Sequence, residues 1–221
     1  MIKFSHVYKV YEKDIKALDD ISFEISKGEF VFITGPSGAG KTTIFNLLYR
    51  DETADMGTVH VDNNDISHMP RGRVPYYRRR IGFVFQDFKL LFDRSIFENV
   101  ALPLVITGAS DEFAKRAVKE ALKRIGLDDR MGLNPWHLSG GEKQKTAIAR
   151  AMILNPPVIL ADEPTGNLDD ESTWQIMSMF DELNKRGTTV IVASHNRDIV
   201  QRMGKRVIRL EKGRVVSDAV G

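Results

Sequence analysis

Glu29-Phe30-Val31-Phe32-Ile33-Thr34-Gly35-Pro36-Ser37-Gly38-Ala39-Gly40-Lys41-Thr42-Thr43 is the stretch whose reading decides the architecture. It opens as a β-rich apolar run, passes through a glycine-rich turn, and continues into a helical pattern over residues 42–49. Strand, loop and helix in that order frame the pattern GxxxxGK[ST], met at Gly35, Gly40, Lys41 and Thr42. Glycine is needed because the backbone through Gly35, Pro36, Ser37, Gly38, Ala39 and Gly40 must wrap close enough for its N–H groups to bond phosphate oxygens. The N-terminus of the helix that follows adds positive potential. Lys41 would reach β- and γ-phosphates as a point charge, the Thr42 hydroxyl would ligate Mg²⁺, and Thr43 is placed for a further phosphate contact.

Downstream, Val158-Ile159-Leu160-Ala161 is a short apolar run ending in Asp162-Glu163-Pro164. Two carboxylates therefore stand at the C-terminal edge of a buried strand, where α/β sheets bind ligands. Adjacent strand residues point to opposite faces, so the two acids are expected to take different roles. Asp162 would orient Mg²⁺ through water, and Glu163 would act as the general base on the water attacking a γ-phosphate. An acidic pair after a strand also commonly caps a helix; the phosphate loop upstream favours the catalytic reading.

Working outward, strands are expected at residues 2–8, 21–25, 58–62, 81–85, 188–193, 206–210 and 214–217, with a helix over 170–184. Between about 95 and 153 the texture is helical, with Ala114, Val118, Ala121, Leu122 and Ile125 at helical spacing. The expected fold class is α/β: a mainly parallel core sheet with an N-terminal antiparallel β region and an inserted helical subdomain. One domain of 1–221 is expected, its core formed by 1–94 and 154–221 and its insert by about 95–153. A formal net charge of +2 gives no global reason to expect nucleic acid as the partner. No cysteine is present, which excludes disulfides, thiolate metal sites and thiol catalysis. No apolar stretch approaches the ~20 residues that span a bilayer, so any membrane contact is expected through a partner.

Leu138-Ser139-Gly140-Gly141-Glu142-Lys143-Gln144 closely resembles the LSGGQ signature of ATP-binding cassette ATPases, with glutamate in place of its final glutamine. The other motifs of that family follow in order. Gln86 resembles the Q-loop glutamine, which contacts Mg²⁺ and the attacking water; Asn167-Leu168-Asp169 resembles the D-loop; His195 resembles the switch histidine that bonds the γ-phosphate. Tyr11 resembles the aromatic that stacks on adenine, with Tyr8 as a competitor. The resemblance implies a P-loop cassette fold that binds ATP and Mg²⁺. It also implies that Ser139, Gly140, Gly141 and Glu142 meet the nucleotide of a second subunit, so that two chains form a homodimer, head to tail, over two ATP molecules.

Within the family the chain looks closest to the ATPases of bacterial cell division, whose partner is a transmembrane protein. This rests on Val74-Pro75-Tyr76-Tyr77-Arg78-Arg79, Phe85-Gln86-Asp87-Phe88-Lys89-Leu90-Leu91, Asp93-Arg94-Ser95, Asn99-Val100-Ala101-Leu102-Pro103-Leu104 and Gly108-Ala109-Ser110. Lipoprotein-releasing and macrolide-exporting ATPases share the remaining motifs and are the alternative. The resemblance implies a peripheral position on the cytoplasmic face of the bacterial inner membrane. It also implies a docking groove for the partner between Asp87 and Leu104. The apolar run Phe88-Lys89-Leu90-Leu91-Phe92 with Ile96-Phe97 either anchors that partner, through Phe88 and Leu91, or packs between subdomains. Arg71, Arg73, Arg78, Arg79 and Arg80 form a basic segment that either faces lipid headgroups or is a solvated edge. Arg50 stands where most relatives have glycine, and the turn there is expected to be rebuilt.

Overall fold

A computed structural model describes residues 1–12 and 15–220. β1 (Ile2–Tyr11), β2 (Ile15–Ile25), β4 (Met56–Val61) and the short β5 (Asn64–Asp65) form an antiparallel sheet in the order β2-β1-β4-β5. β3 (Phe30–Thr34), β6 (Ile81–Val84), β7 (Val158–Asp162), β8 (Thr189–Ala193), β9 (Arg206–Glu211) and β10 (Arg214–Val220) form the second, in the order β10-β9-β3-β8-β7-β6. All its pairings are parallel except that of β10 with β9, an antiparallel hairpin at the edge.

The alternation of side chains along the central strands explains why this sheet is covered on both sides. Val31, Ile33, Leu160 and Ile191 face one core, which they share with α1 (Lys41–Tyr49) and with Ile2, Phe4, Leu18 and Ile21 of the antiparallel sheet. Phe32, Ile159, Val190 and Val192 face the other, filled by Ile176, Met177 and Phe180 of α6 (Asp170–Lys185) and Ile199 of α7 (Arg197–Met203). α3 (Ile96–Ile106), α4 (Asp111–Arg124) and one side of α5 (Gly140–Met152) close around a third core of Ile96, Val100, Leu104, Val118 and Leu122. On α5, Ile148 belongs to the sheet's core and Ala149 to the helical one, so this helix joins the two layers.

Several local expectations change. The first hairpin is longer than the apolar runs suggested, because β1 continues to Tyr11 and β2 starts at Ile15. α5 begins at Gly140, inside the signature's own glycines, because Ser139 and Glu142 form a reciprocal capping box that satisfies its first donors. α7 and α2 (Val74–Arg78) are too short to show a helical period. The turn at Arg50 is not rebuilt: Arg50 itself adopts the left-handed conformation, at φ 62°, as the C-cap of α1. Two of the basic-segment arginines are committed internally. Arg78 bonds the Tyr49 and Arg50 carbonyls at 3.0 and 3.1 Å, and Arg80 pairs with Asp62 at 2.5 Å.

Candidate functional site

The phosphate loop lies between the end of β3 and the start of α1. Three of its glycines have positive φ, and two approach other backbone closely. A Cβ on Gly35 would sit 2.3 Å from the Leu210 carbonyl oxygen, and one on Gly40 would sit 2.6 Å from that of Ala17. Gly38, at φ 76°, has nothing within 4 Å of that position. The loop is thus wedged against the protein at both ends and open in the middle, a concavity fit for an anion. Pro36, Ser37 and Gly38 are exposed, Ala39 and Thr43 buried. The Lys41 ammonium, 8% exposed, donates to the Gly35 and Pro36 carbonyls at 2.8 and 3.2 Å.

Asp162 and Glu163 converge on this loop. The Thr42 hydroxyl donates to Asp162 Oδ2 at 3.3 Å, and Glu163 Oε1 lies 4.0 Å from Lys41 Nζ. Strand alternation would have sent the two carboxylates to opposite faces, but the strand ends at Asp162 and Glu163 turns the chain with φ 49°. That turn brings both acids to one site, with Glu163 N–H still donating to the Ala193 carbonyl at 3.0 Å. His195 Nδ1 donates to Glu163 Oε2 at 2.5 Å, and the histidine side chain is otherwise exposed. Burial pushes the Asp162 carboxyl above the ordinary carboxylate range; the bond from Thr42 opposes this, and the neighbouring Glu163 reinforces it. A half-buried carboxylate beside a threonine hydroxyl is an oxygen pair suited to a hard cation such as Mg²⁺. Among the described residues no cluster of three or more His, Asp or Glu could hold a metal unaided, so such an ion would need phosphate or water oxygens as well.

Gln86 follows β6, which pairs with β7 in the register Val84 to Ala161. Its amide nitrogen lies 3.7 Å from where a Cβ on Gly166 would sit, beside the loop after Glu163. Ser139, Gly140, Gly141 and Glu142 stand elsewhere, at the N-terminus of α5. Ser139 Oγ accepts the Glu142 N–H at 3.3 Å, Glu142 accepts the Ser139 N–H at 2.8 Å, and Arg130 pairs with Glu142 at 2.9 Å. Asp169 is the N-cap of α6, accepting the Ser172 N–H at 2.8 Å, and Ser172 Oγ is 2.7 Å from where a Cβ on Gly141 would sit. No hydrogen bond or ion pair among the described residues joins this second group to the phosphate loop. Sequence reading missed Gln144, fully buried one turn into α5, whose amide donates to the Pro164 carbonyl at 2.7 Å and so ties the signature helix to the loop after Glu163. Its place as the last residue of the quoted signature segment was the signal available.

Tyr11, half-exposed, closes the first hairpin opposite Ile15, and Ala17 and Leu18 of the returning strand lie against Gly40. In segment 87–104, Leu90 and Ile96 are buried, Phe88 and Phe92 half-buried, and Leu91 is 41% exposed. Arg150 bonds the Phe88 and Lys89 carbonyls at 2.8 and 2.6 Å, and Phe92 packs on the exposed Trp136 with ring centroids 4.4 Å apart.

Residues 18–166 match the ABC transporter family. The Bacillus subtilis "Cell division ATP-binding protein FtsE" is 45% identical over 218 residues, 99% of this chain and 96% of that protein. Its Escherichia coli K12 namesake is 43% identical over 213 residues, 96% of each chain. Among solved structures, a dimeric ATP-binding cassette in a post-hydrolysis state with ADP and Pi superposes with a TM-score of 0.92 at 38% identity, covering 100% of this chain and 98% of that one. On these matches the chain belongs to the ABC transporter family, as an ATP-binding cassette ATPase.

Proposed function

We propose that two copies of this chain close head to tail over two MgATP molecules and drive an FtsX-like transmembrane partner in cell division, transmitting force to cell-wall remodelling. The convergence of Lys41, Thr42, Asp162, Glu163 and His195 carries the catalytic part of this reading. The division role rests on the kinship with proteins named FtsE. A position on the cytoplasmic face of the membrane would come from the partner, since no described helix is long and apolar enough to cross a bilayer.

In this reading Tyr11 stacks on adenine, and the backbone from Gly35 to Gly40 with Thr43 cradles the phosphates. Lys41 exchanges a carbonyl of its own loop for β- and γ-phosphate oxygens, which are stronger, charged acceptors. Thr42, Asp162 and Gln86 would hold Mg²⁺, which would supply neutralisation of the phosphate charge. Glu163 accepts a proton from the attacking water. His195, bonded to Glu163 through Nδ1, fixes that carboxylate, and in its imidazolium form would also donate from Nε2 to the γ-phosphate. Ser139, Gly140, Gly141 and Glu142 face the partner's nucleotide, with Asp169 at the seam between the two chains; this accounts for their separation from their own phosphate loop.

The test is Glu163→Gln, which keeps shape but cannot take up a proton. MgATP affinity should hold within about threefold while turnover falls at least ~100-fold, the scale of general-base loss. Light scattering should then show a dimer with ATP and a monomer without it. A variant that binds ATP at high concentration and stays monomeric would overturn the head-to-tail arrangement.

A further inference from the structure

Lys9 is the buried cation that the chemistry above leaves without a role. It lies on β1 two residues before Tyr11, so the two side chains share one face of the strand. Its residue exposure is 8%, low for a lysine, and its ammonium sits 5.3 Å from the centroid of the Tyr11 ring. Two carboxylates hold it there, Glu52 at 3.1 Å and Asp55 at 3.6 Å. Neither carboxylate is loose. Asp55 accepts the Val10 N–H through Oδ2 at 2.6 Å and donates its own N–H to the Tyr8 carbonyl at 2.9 Å. Glu52 donates its N–H to the carbonyl of Asn46 in α1 at 3.2 Å. Burial disfavours the Lys9 charge, but the bond to Glu52 and the pull of both carboxylates outweigh it and raise the ammonium above its ordinary value.

A cation this deeply buried covers the inner side of the ring, while Tyr11 itself is half-exposed. The side left accessible is the one a planar base can use. Glu52 follows the helix that starts at the phosphate loop, so its pair with Lys9 ties the ring to that helix. We propose that Lys9 is a positioning residue for the adenine platform: its ammonium, clamped by Glu52 and Asp55, holds the Tyr11 ring in register with the phosphate loop. This rests on the reading of Tyr11 as the adenine contact. A cation–π contact without strong solvent screening is enough to favour one ring orientation severalfold over the others.

The experiment compares MgATP with inorganic tripolyphosphate, which lacks the base, by titration calorimetry on wild type, Lys9→Met, Tyr11→Leu and the double variant. Tyr11→Leu should weaken MgATP about tenfold and leave tripolyphosphate unchanged. Lys9→Met should weaken MgATP about three- to tenfold, again sparing tripolyphosphate, and should add nothing on top of Tyr11→Leu. Lys9→Arg, which can keep both carboxylates and the ring, should restore most of the loss. Equal weakening of both ligands by Lys9→Met, or a full additional loss in the double variant, would overturn the proposal. Should Tyr11→Leu leave MgATP affinity intact, the adenine reading itself fails and the Lys9 role falls with it. If Lys9→Met does not fold, Glu52→Gln poses the same question by loosening the clamp, with the same loss expected for MgATP only.

Discussion

Arg50 ends the helix that leaves the phosphate loop in a conformation costing a non-glycine residue about 1–2 kcal/mol. Its guanidinium offsets this by donating to the Met69 and Glu52 carbonyls at 3.1 and 3.4 Å, while its own carbonyl accepts from Arg78 at 3.1 Å. Arg50→Gly removes the backbone cost and those two side-chain bonds together, each worth about 0.5–1.5 kcal/mol. The expected change in urea unfolding is therefore within about 1 kcal/mol of wild type. Arg50→Val keeps the backbone cost, adds β-branching and loses the bonds, and should destabilise by about 2 kcal/mol or more. The sequence singled out this position but could not show how Arg50 is accommodated. The compensating partners, Met69 and Arg78, are distant in the chain. Glu163 was legible as a carboxylate after a strand, yet its convergence with Asp162 depends on one backbone angle that no residue type at this position announces.

At the level of elements, β6 and α5 approach so closely that the glycine between them has no substitute. A Cβ on Gly82 would lie 2.6 Å from both the Ala151 carbonyl oxygen and Ile159 Cδ1. Gly82→Ala should cost about 1–3 kcal/mol, the usual range for forcing an extra group into a packed contact. The check is chemical denaturation, in which the midpoint should drop with an unchanged slope. A variant as stable as wild type would mean that helix and strand separate at little cost. The strands and long helices of the core could be read from period and apolar content. α2, α7 and the start of α5 could not: the first two are under two and a half turns, and the glycines of the signature look like a loop until the capping box is seen.

Across the whole molecule, the exposed apolar side chains near the signature are the surface on which the proposed docking of a partner helix can be tested. Of the two positions singled out by sequence, Phe88 is half-buried beneath the Arg150 bonds, whereas Leu91 is exposed with its backbone clamped on both sides by Asn99 at 2.8 and 2.9 Å. Leu90 and Ile96 are core, which answers part of the ambiguity of that apolar run. Leu91→Glu should therefore fold normally and bind MgATP like wild type, while capture of an FtsX-like subunit in pull-down falls at least ~10-fold; a charge in the apolar centre of an interface is poorly tolerated. Undiminished capture would place the docking surface elsewhere. The order of motifs in the sequence was enough to reach the family. It also placed an antiparallel β region before a mainly parallel core sheet, as the two sheets have it; the strand order within each sheet was not legible, because strands of both layers share the same β-rich composition and differ only in their partners.

The pairing of Trp136 with Phe92 makes this surface optically addressable. The chain has two tryptophans, and the other, Trp174, lies on α6 beneath the Arg202 guanidinium. Trp136 is 71% exposed three residues before the signature serine, so its indole emits from a largely aqueous setting. Replacing Trp174 with phenylalanine would leave a single tryptophan, on the candidate docking face, with no label attached. A blue shift on addition of the partner's cytoplasmic segment would then report occupation of that face. Any change on adding MgATP alone would time the response of the helical layer to nucleotide, in a chain that has no thiol to complicate the addition of a second, cysteine-borne dye.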